Sequence, residues 1–235
     1  MRVEEPVLDG MPEVPPAWVR PDSGVRMSAL GLEHMLAAAL PHTGTDDELP
    51  FLQTIRLEVT DGQLVSRATD RYSMIRERRL VSQTCDAFGF LLRSEDAASL
   101  RVLLRTVLRG LKDDARDVEP VDLALELTDT GPTLRVLGQD LDVRFTGQDA
   151  VGEFPRTDEL LDRAFAAADA GEIEDFDAYV NPTLLARVVA AQKAGRAAGL
   201  FLFQRPRSSP LIVTTLDEDD DLAIAIMPIK AGGEP

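Results

Sequence analysis

Cysteine, histidine and long apolar runs are all scarce in this 235-residue chain, and each scarcity closes off a class of protein. The single cysteine, Cys85, excludes an intramolecular disulfide and fits a reducing compartment. No histidine or helix N-terminus lies near it in sequence to lower its pKa, so it reads as inert. The two histidines, His34 and His42, have no cysteine cluster beside them and read as surface or partly buried structural residues, not metal ligands. No apolar run approaches the ~20 residues that span a bilayer. The opening MRVEEPVLDGMPEVPP places acidic and proline residues where a signal peptide has basic and then apolar ones. The expectation is a cytoplasmic protein with no membrane contact. There is no glycine-rich phosphate loop, no G-x-S-x-G elbow and no H-E-x-x-H pair. The run DEDDD at 217–221 lacks the glycine and distal glutamate of a calcium loop and reads as a solvated hairpin turn. No catalytic residue, metal site or cofactor is expected, which points to a binding protein rather than an enzyme.

Acid is what the chain has in excess: 41 acidic residues against 25 basic ones, a net charge of −16. That balance argues against nucleic acid, because counterion release needs clustered cations. A local basic stripe on an acidic body can still bind phosphate, so the distribution matters more than the sum.

Along the chain one pattern recurs. Residues 1–24 carry Pro6, Pro12, Pro15, Pro16 and Pro21 with no apolar period and read as a flexible leader. From Val25 a short strand precedes a helix capped by Ser28, with Leu32, Met35, Leu36, Ala39 and Leu40 on its apolar face, ended by Pro41 and Gly44. Strands over Phe51–Val59, Leu64–Ala68 and Tyr72–Leu80 follow, the first two joined through Thr60-Asp61-Gly62. The order then repeats: a strand at Phe88–Leu92, a helix capped by Ser94 and running to about Lys112, and strands at Val121–Leu127, Thr133–Leu137 and Leu141–Phe145. A third copy has a strand at Phe176–Val180, Asn181 as cap, Pro182 as first helical residue, and a buried stripe of Leu184, Leu185, Val188 and Val189. Its strands are Leu200–Gln204, Leu211–Thr215 and Leu222–Met227. Three tandem βαβββ units predict an α+β fold of antiparallel sheets with helices on one face. Residues 156–174 match no unit and read as a linking helix.

The second helix is asymmetric. Leu100, Leu103, Leu104, Val107, Leu108 and Leu111 form its apolar side, while Arg101, Arg105, Arg109 and Lys112 fall within roughly 80° of one another on a different face. The third helix adds Arg187, with Lys193 and Arg196 near its end, and the first adds none. Such a stripe is either a solvated face or a surface that meets phosphate.

Three strings resemble one family. TDGQLVSRATDRYSMIRERR at 60–79 is similar to the central domain of the bacterial DNA polymerase III beta sliding clamp, where a strand-turn-strand carries an A-T-D-G-H-R-L signature. VGEFPRTDELL at 151–161 resembles the G-x-F-P-x-Y segment that closes that domain, and SPLIVTTLDEDDDLAIAIMPIK at 209–230 the family C-terminus ending in M-P-M/V-R-L. YVNPTLLARVVAAQK resembles the F-N-x-x-Y-L-L-x-x-L segment before that ending. The resemblance implies a shortened clamp, with three units where family members have six. It divides the chain into the leader (1–24), a complete clamp-like domain (25–158), a linker (159–174) and a half domain (175–235).

It also implies partners. Family clamps take short peptides of DNA polymerases and repair proteins between the central turn and the C-terminal strand. Those positions are Thr69, Asp70, Arg71, Tyr72, Ser73 and Met74 on one side and Met227, Pro228, Ile229 and Lys230 on the other. Arg71, Tyr72 and Ser73 depart from the signature's Gly-His-Arg. Plain core packing is the other reading of Met74 and Met227. Helices of the family line a ring around duplex DNA and contact its phosphates without reading sequence, a role for Arg101, Arg105, Arg109, Lys112, Arg187, Lys193 and Arg196. Four copies of a three-unit chain would supply the twelve units of a family ring, a homo-oligomer. The alternative is a ring-less, clamp-related interaction protein that binds clamp-binding peptides or a host clamp without encircling DNA.

Overall fold

A computed structural model describes residues 24–83, 85–129, 131–147, 154–170, 180–195, 201–203, 210–214 and 220–228. The proline-rich leader and most of the expected strand at Phe176–Val180 lie outside them; Val180 itself is described and is not in a strand.

Local chemistry builds the first unit as its sequence suggests. Strand β1 (Val25–Ser28) runs into helix α1 (Ala29–Ala39), and Ser28 Oγ accepts the Gly31 N–H at 3.0 Å. A Cβ on Gly31 would stand 2.8 Å from that oxygen, so the cap needs glycine there. Pro41 lies in a 3-10 turn, Leu40–His42, that follows α1. Strands β2 (Thr54–Thr60) and β3 (Gln63–Thr69) form a hairpin, with Asp61 and Gly62 at φ 49° and 74°, the left-handed pair that a two-residue turn requires. β2 starts at Thr54, not Phe51, because Pro50–Gln53 form another 3-10 turn; Pro50 at its start has no N–H to give a sheet. β4 (Ser73–Leu80) and a two-residue β5 (Ser82–Gln83) complete the segment.

The second unit holds β6 (Phe88–Arg93), α2 (Ser94–Gly110), a one-turn α3 (Asp113–Arg116), β7 (Pro120–Thr128), β8 (Gly131–Gly138) and β9 (Leu141–Thr146). Ser94 is not the cap of α2 but its first residue. Arg93 holds the cap position without a side-chain bond, and Glu95 and Asp96 supply the negative charge that a helix start favours. α4 (Thr157–Asp169) is the linking helix. α5 (Pro182–Gly195) starts behind Asn181, whose Oδ1 accepts the Thr183 N–H at 2.9 Å. β10 (Phe201–Phe203), β11 (Leu211–Thr214) and β12 (Asp220–Ile226) end the described chain. Asp220 and Asp221, expected in a solvated turn, begin β12, where they stand opposite Arg79 and Arg78 of β4.

The units exchange their first strands. β1 pairs with β7 of the second unit, and β6 pairs with β2 of the first. Two antiparallel sheets result, with strand orders β5-β1-β7-β8-β9 and β10-β11-β12-β4-β3-β2-β6. The third unit joins the second sheet edge-on, β12 against β4, from Asp220↔Arg79 to Ile226↔Ser73.

Strand alternation then sorts the side chains. Leu211, Val213, Ile224, Ile226 and Ile75 enter the main core with Leu32, Met35, Leu36, Leu100, Leu104, Leu184 and Val188 from α1, α2 and α5. The intervening Ile212, Ala223, Ala225 and Met74 face the other way, where Leu161 of α4 covers them. The three unit helices thus share one face, and α4 lies on the opposite one. Leu185 and Val189, expected in the buried stripe of α5, are 38% and 46% exposed, because α5 packs through only one flank, Leu184, Val188 and Ala191.

Candidate functional site

The edge pairing of β12 with β4 brings the two ends of the expected peptide site together. Ala225 stands opposite Met74, Ile226 opposite Ser73, and the Met227 N–H donates to the Tyr72 carbonyl at 2.9 Å. Period-two alternation puts Tyr72, Met74, Ala225 and Met227 on one sheet face, beside α4. Tyr72 (62% exposed) and Met227 (37%) are open to solvent, Met74 and Pro228 are half-buried, and Met74 packs with Leu160, Ala164 and Phe165 of α4 against one small cluster of Leu161, Ile212, Ala223 and Ala225. Ile229 and Lys230 lie outside the described residues.

Thr69 and Ser73 are buried and build the turn instead of facing outward. Thr69 Oγ1 donates to the Ser73 carbonyl at 2.9 Å and accepts the Arg71 N–H at 3.2 Å. Asp70 Oδ1 accepts the N–H groups of Tyr72 and Ser73 at 3.0 and 2.8 Å and the Ser73 hydroxyl at 3.1 Å. Arg71 is left at φ 77°, a left-handed conformation that costs a residue with a Cβ about 1 kcal/mol. Arg71→Gly should therefore raise stability by about 1 kcal/mol in urea unfolding, since the exposed Arg71–Asp46 pair it removes contributes little. An unchanged or lower midpoint would show that the turn draws its stability from the arginine side chain.

Beneath the turn lies a cluster that sequence reading missed. Arg187 of α5 donates from Nη1 to Asp70 Oδ2 at 2.5 Å and to Ser73 Oγ at 2.6 Å, so it ties α5 to the turn. His42, at the end of the 3-10 turn after α1, is fully buried with Nδ1 at 3.0 Å from Ser73 Oγ. With the Ser73 proton on Asp70, His42 donates from Nδ1, and its Nε2 is a buried atom with no partner among the described residues. Burial, helped by the nearby Arg187 charge, pushes the His42 pKa from 6.5 down to about 3. Asp70 is held below the usual carboxylate range: burial opposes this, but bonds from Arg187, Ser73 and Tyr72 outweigh it. The sequence signal for the cluster was faint. His42 and Arg187 are 145 positions apart, and Arg187 read as a surface cation.

α4 is anchored as well as packed. Arg67 meets Asp158 at 2.8 Å, Arg76 meets Asp158 at 3.3 Å and Asp162 at 2.8 Å, and the Arg76 guanidinium lies 6.0 Å from the Phe165 ring. These pairs fix one wall of the apolar patch.

On the helix face the expected cation stripe is partly neutralised. Arg101 and Arg105 both donate from Nε to Oε1 of the buried Glu33 on α1, at 2.7 and 2.8 Å. Arg109, Lys112 and Lys193 are exposed, and Arg196 lies outside the described residues. Cys85 is a free thiol whose pKa burial raises. Among the described residues no group of His, Cys, Asp or Glu is arranged to hold a metal ion, and no helix is long and apolar enough to cross a membrane.

Strand-exchanged βαβββ units, with helices on one face of antiparallel sheets, define the sliding-clamp fold, here in shortened form. Solved structures agree. The chain superposes on a DNA polymerase sliding clamp from Bacillus subtilis with a TM-score of 0.65 and 13% identity, covering 91% of this chain and 67% of that one. For a DNA polymerase III beta subunit from Thermotoga maritima the values are 0.64, 14%, 95% and 69%. For a Pseudomonas aeruginosa sliding clamp bound to griselimycin they are 0.65, 14%, 91% and 67%. The matched span is two thirds of these chains, more than the half that three units of six would fill. Neither a family model nor a curated protein matches the chain.

Proposed function

We propose that the chain is a non-catalytic, clamp-like factor of DNA replication that recruits partners by taking short apolar peptide segments of DNA polymerases or repair proteins on the patch of Tyr72, Met74, Met227 and Pro228. The observation that carries this reading is the main-chain join of Met227 to Tyr72, which makes one surface from the turn and the C-terminal strand. Flexible methionines suit a surface that accepts varied apolar side chains. The domain division drawn from the resemblance, with the leader at 1–24 and boundaries near 158 and 174, belongs to the same proposal. So does a cytoplasmic location.

The double change Met74→Ala and Met227→Ala should weaken capture of a labelled clamp-binding peptide at least tenfold by fluorescence anisotropy. Losing two methionine contacts of about 1 kcal/mol each is enough for that. Equal affinity in both proteins would refute the patch.

Duplex binding through α2 is the second part of the proposal, and here the ring-less alternative has an observation of its own. Two arginines of the stripe are spent on Glu33, while the exposed row on α5 is apolar. If α2 meets phosphate, Arg109→Ala with Lys112→Ala should lower the slope of log affinity against log salt by about 2. A duplex affinity that these changes leave alone favours the ring-less reading.

A further inference from the structure

Arg56, Arg67 and Arg76 stand side by side across β2, β3 and β4, in register and on the sheet face that carries α4. Like charges placed directly opposite one another repel, so the row needs carboxylates. Glu58 of β2 meets Arg56 at 3.5 Å and Arg67 at 2.8 Å. α4 brings two more: Asp158 pairs with Arg67 and Arg76, and Asp162 with Arg76.

An apolar strip adjoins the row on the same face. Ala223 stands opposite Arg76, Ala225 opposite Met74, and Ile212 opposite Ala225, while Tyr72 and Met227 carry the strip on into solvent. α4 covers its inner part with Leu160, Leu161, Ala164 and Phe165. The helix thus sits there as a ligand would, with aspartates one turn apart on the arginines and large apolar side chains on the strip. Its hold is shallow. Among its described side chains Leu161 and Ala167 are the only buried apolar ones, and Asp158 and Asp162 are 38% and 62% exposed, so water competes for their ion pairs.

We infer that α4 is a built-in occupant of a groove for acidic peptides, and that a partner segment with two carboxylates and large apolar side chains takes its place. The carboxylates of that segment pair with Arg67 and Arg76, and its apolar groups lie on Ile212, Ala223, Ala225 and Met74. The inference rests on the recruitment patch of Tyr72, Met74, Met227 and Pro228, and it adds the charge of the partner and a helix that moves aside. Charge complementarity selects the partner: the row of three arginines is a cationic site in a chain of net charge −16. Occupation by α4 lowers the apparent affinity for such a peptide to the fraction of molecules in which the groove is open.

Fluorescence anisotropy on the full chain tests it, with a labelled clamp-binding peptide that carries two acidic residues and with its counterpart in which both are amides. Asp158→Ala with Asp162→Ala leaves the arginines and the apolar strip in place and should tighten binding of the acidic peptide about tenfold over the parent. Adding Arg67→Gln to that background should lower the preference for the acidic peptide over the amide one. Should the double variant fail to fold, Leu161→Ala loosens the same helix and decides in its place. Equal affinity of the parent and the released protein, or no preference for the acidic peptide, overturns the inference, while the effect of Met74→Ala with Met227→Ala still reports on the patch. No binding to either protein overturns both.

Discussion

The native state should lose about 1.4 kcal/mol of stability for each pH unit of acidification between 6.5 and about 3, and His42→Asn should abolish that slope. The folded protein keeps His42 neutral because the ring is fully buried and Arg187 lies near. The unfolded chain takes up a proton as soon as pH falls below 6.5. More protons are then bound unfolded than folded, so stability rises with pH through this window. The contribution is complete above 6.5 and is progressively lost as pH falls toward about 3. Asp70 and Asp158, both with lowered pKa values, add their loss only below the ordinary carboxylate range, beneath most of this window. Urea unfolding of the two proteins at neutral pH and at about pH 5 separates the terms, because only the histidine-dependent slope disappears in the variant. Parallel curves would mean that His42 is protonated in the folded state.

Arg187→Leu should cost about 2–4 kcal/mol, which is large for a side chain that remains one-fifth exposed. The loss has two parts. Asp70 keeps its bonds from Tyr72 and Ser73 but holds an unneutralised charge in a half-buried turn, and α5 loses its tie to that turn. The change should also move the His42 transition upward, since the nearby cation is one cause of its depressed pKa. Asp70→Asn removes the stranded charge. The two changes together should therefore cost less than the sum of the two alone, which a double-mutant cycle measures. Additive losses would place Arg187 outside the Asp70 network.

These two predictions bear on function because the same turn carries the proposed recruitment patch. Tyr72 is presented outward by a turn whose inner side is bonded to the 3-10 turn after α1 through His42 and to α5 through Arg187. Weakening either tie should loosen the patch before it unfolds the sheets, since the turn has few apolar contacts of its own.

Much of the architecture was legible in the sequence, because it rests on local rules. Ser28 and Asn181 cap helices through the one bond that a short polar side chain can make to a nearby N–H. Asp61-Gly62 turn a hairpin because they tolerate positive φ, and the order strand, helix, strand, strand, strand survives boundary errors of a few residues. Ser94 failed as a cap because its neighbour Arg93 leaves the strand already in cap geometry, and first-turn acids do the rest. What depended on distance was not legible. β12 lies beside β4, so Asp220 and Asp221 are strand residues in register with Arg79 and Arg78. Glu33 draws Arg101 and Arg105 out of a surface stripe, and Arg187 turns inward to Asp70 and Ser73. Leu185 and Val189 have the period of a core face but are exposed, since α5 packs only through the flank of Leu184, Val188 and Ala191. By itself the sequence determined the repeat, the caps, the turns and the apolar period, each set within a few residues by backbone sterics and hydrogen bonding. The tertiary structure alone decided which cations are free, which histidine is buried and which apolar face is open, because charge neutralisation and burial depend on neighbours 31 to 117 residues away along the chain.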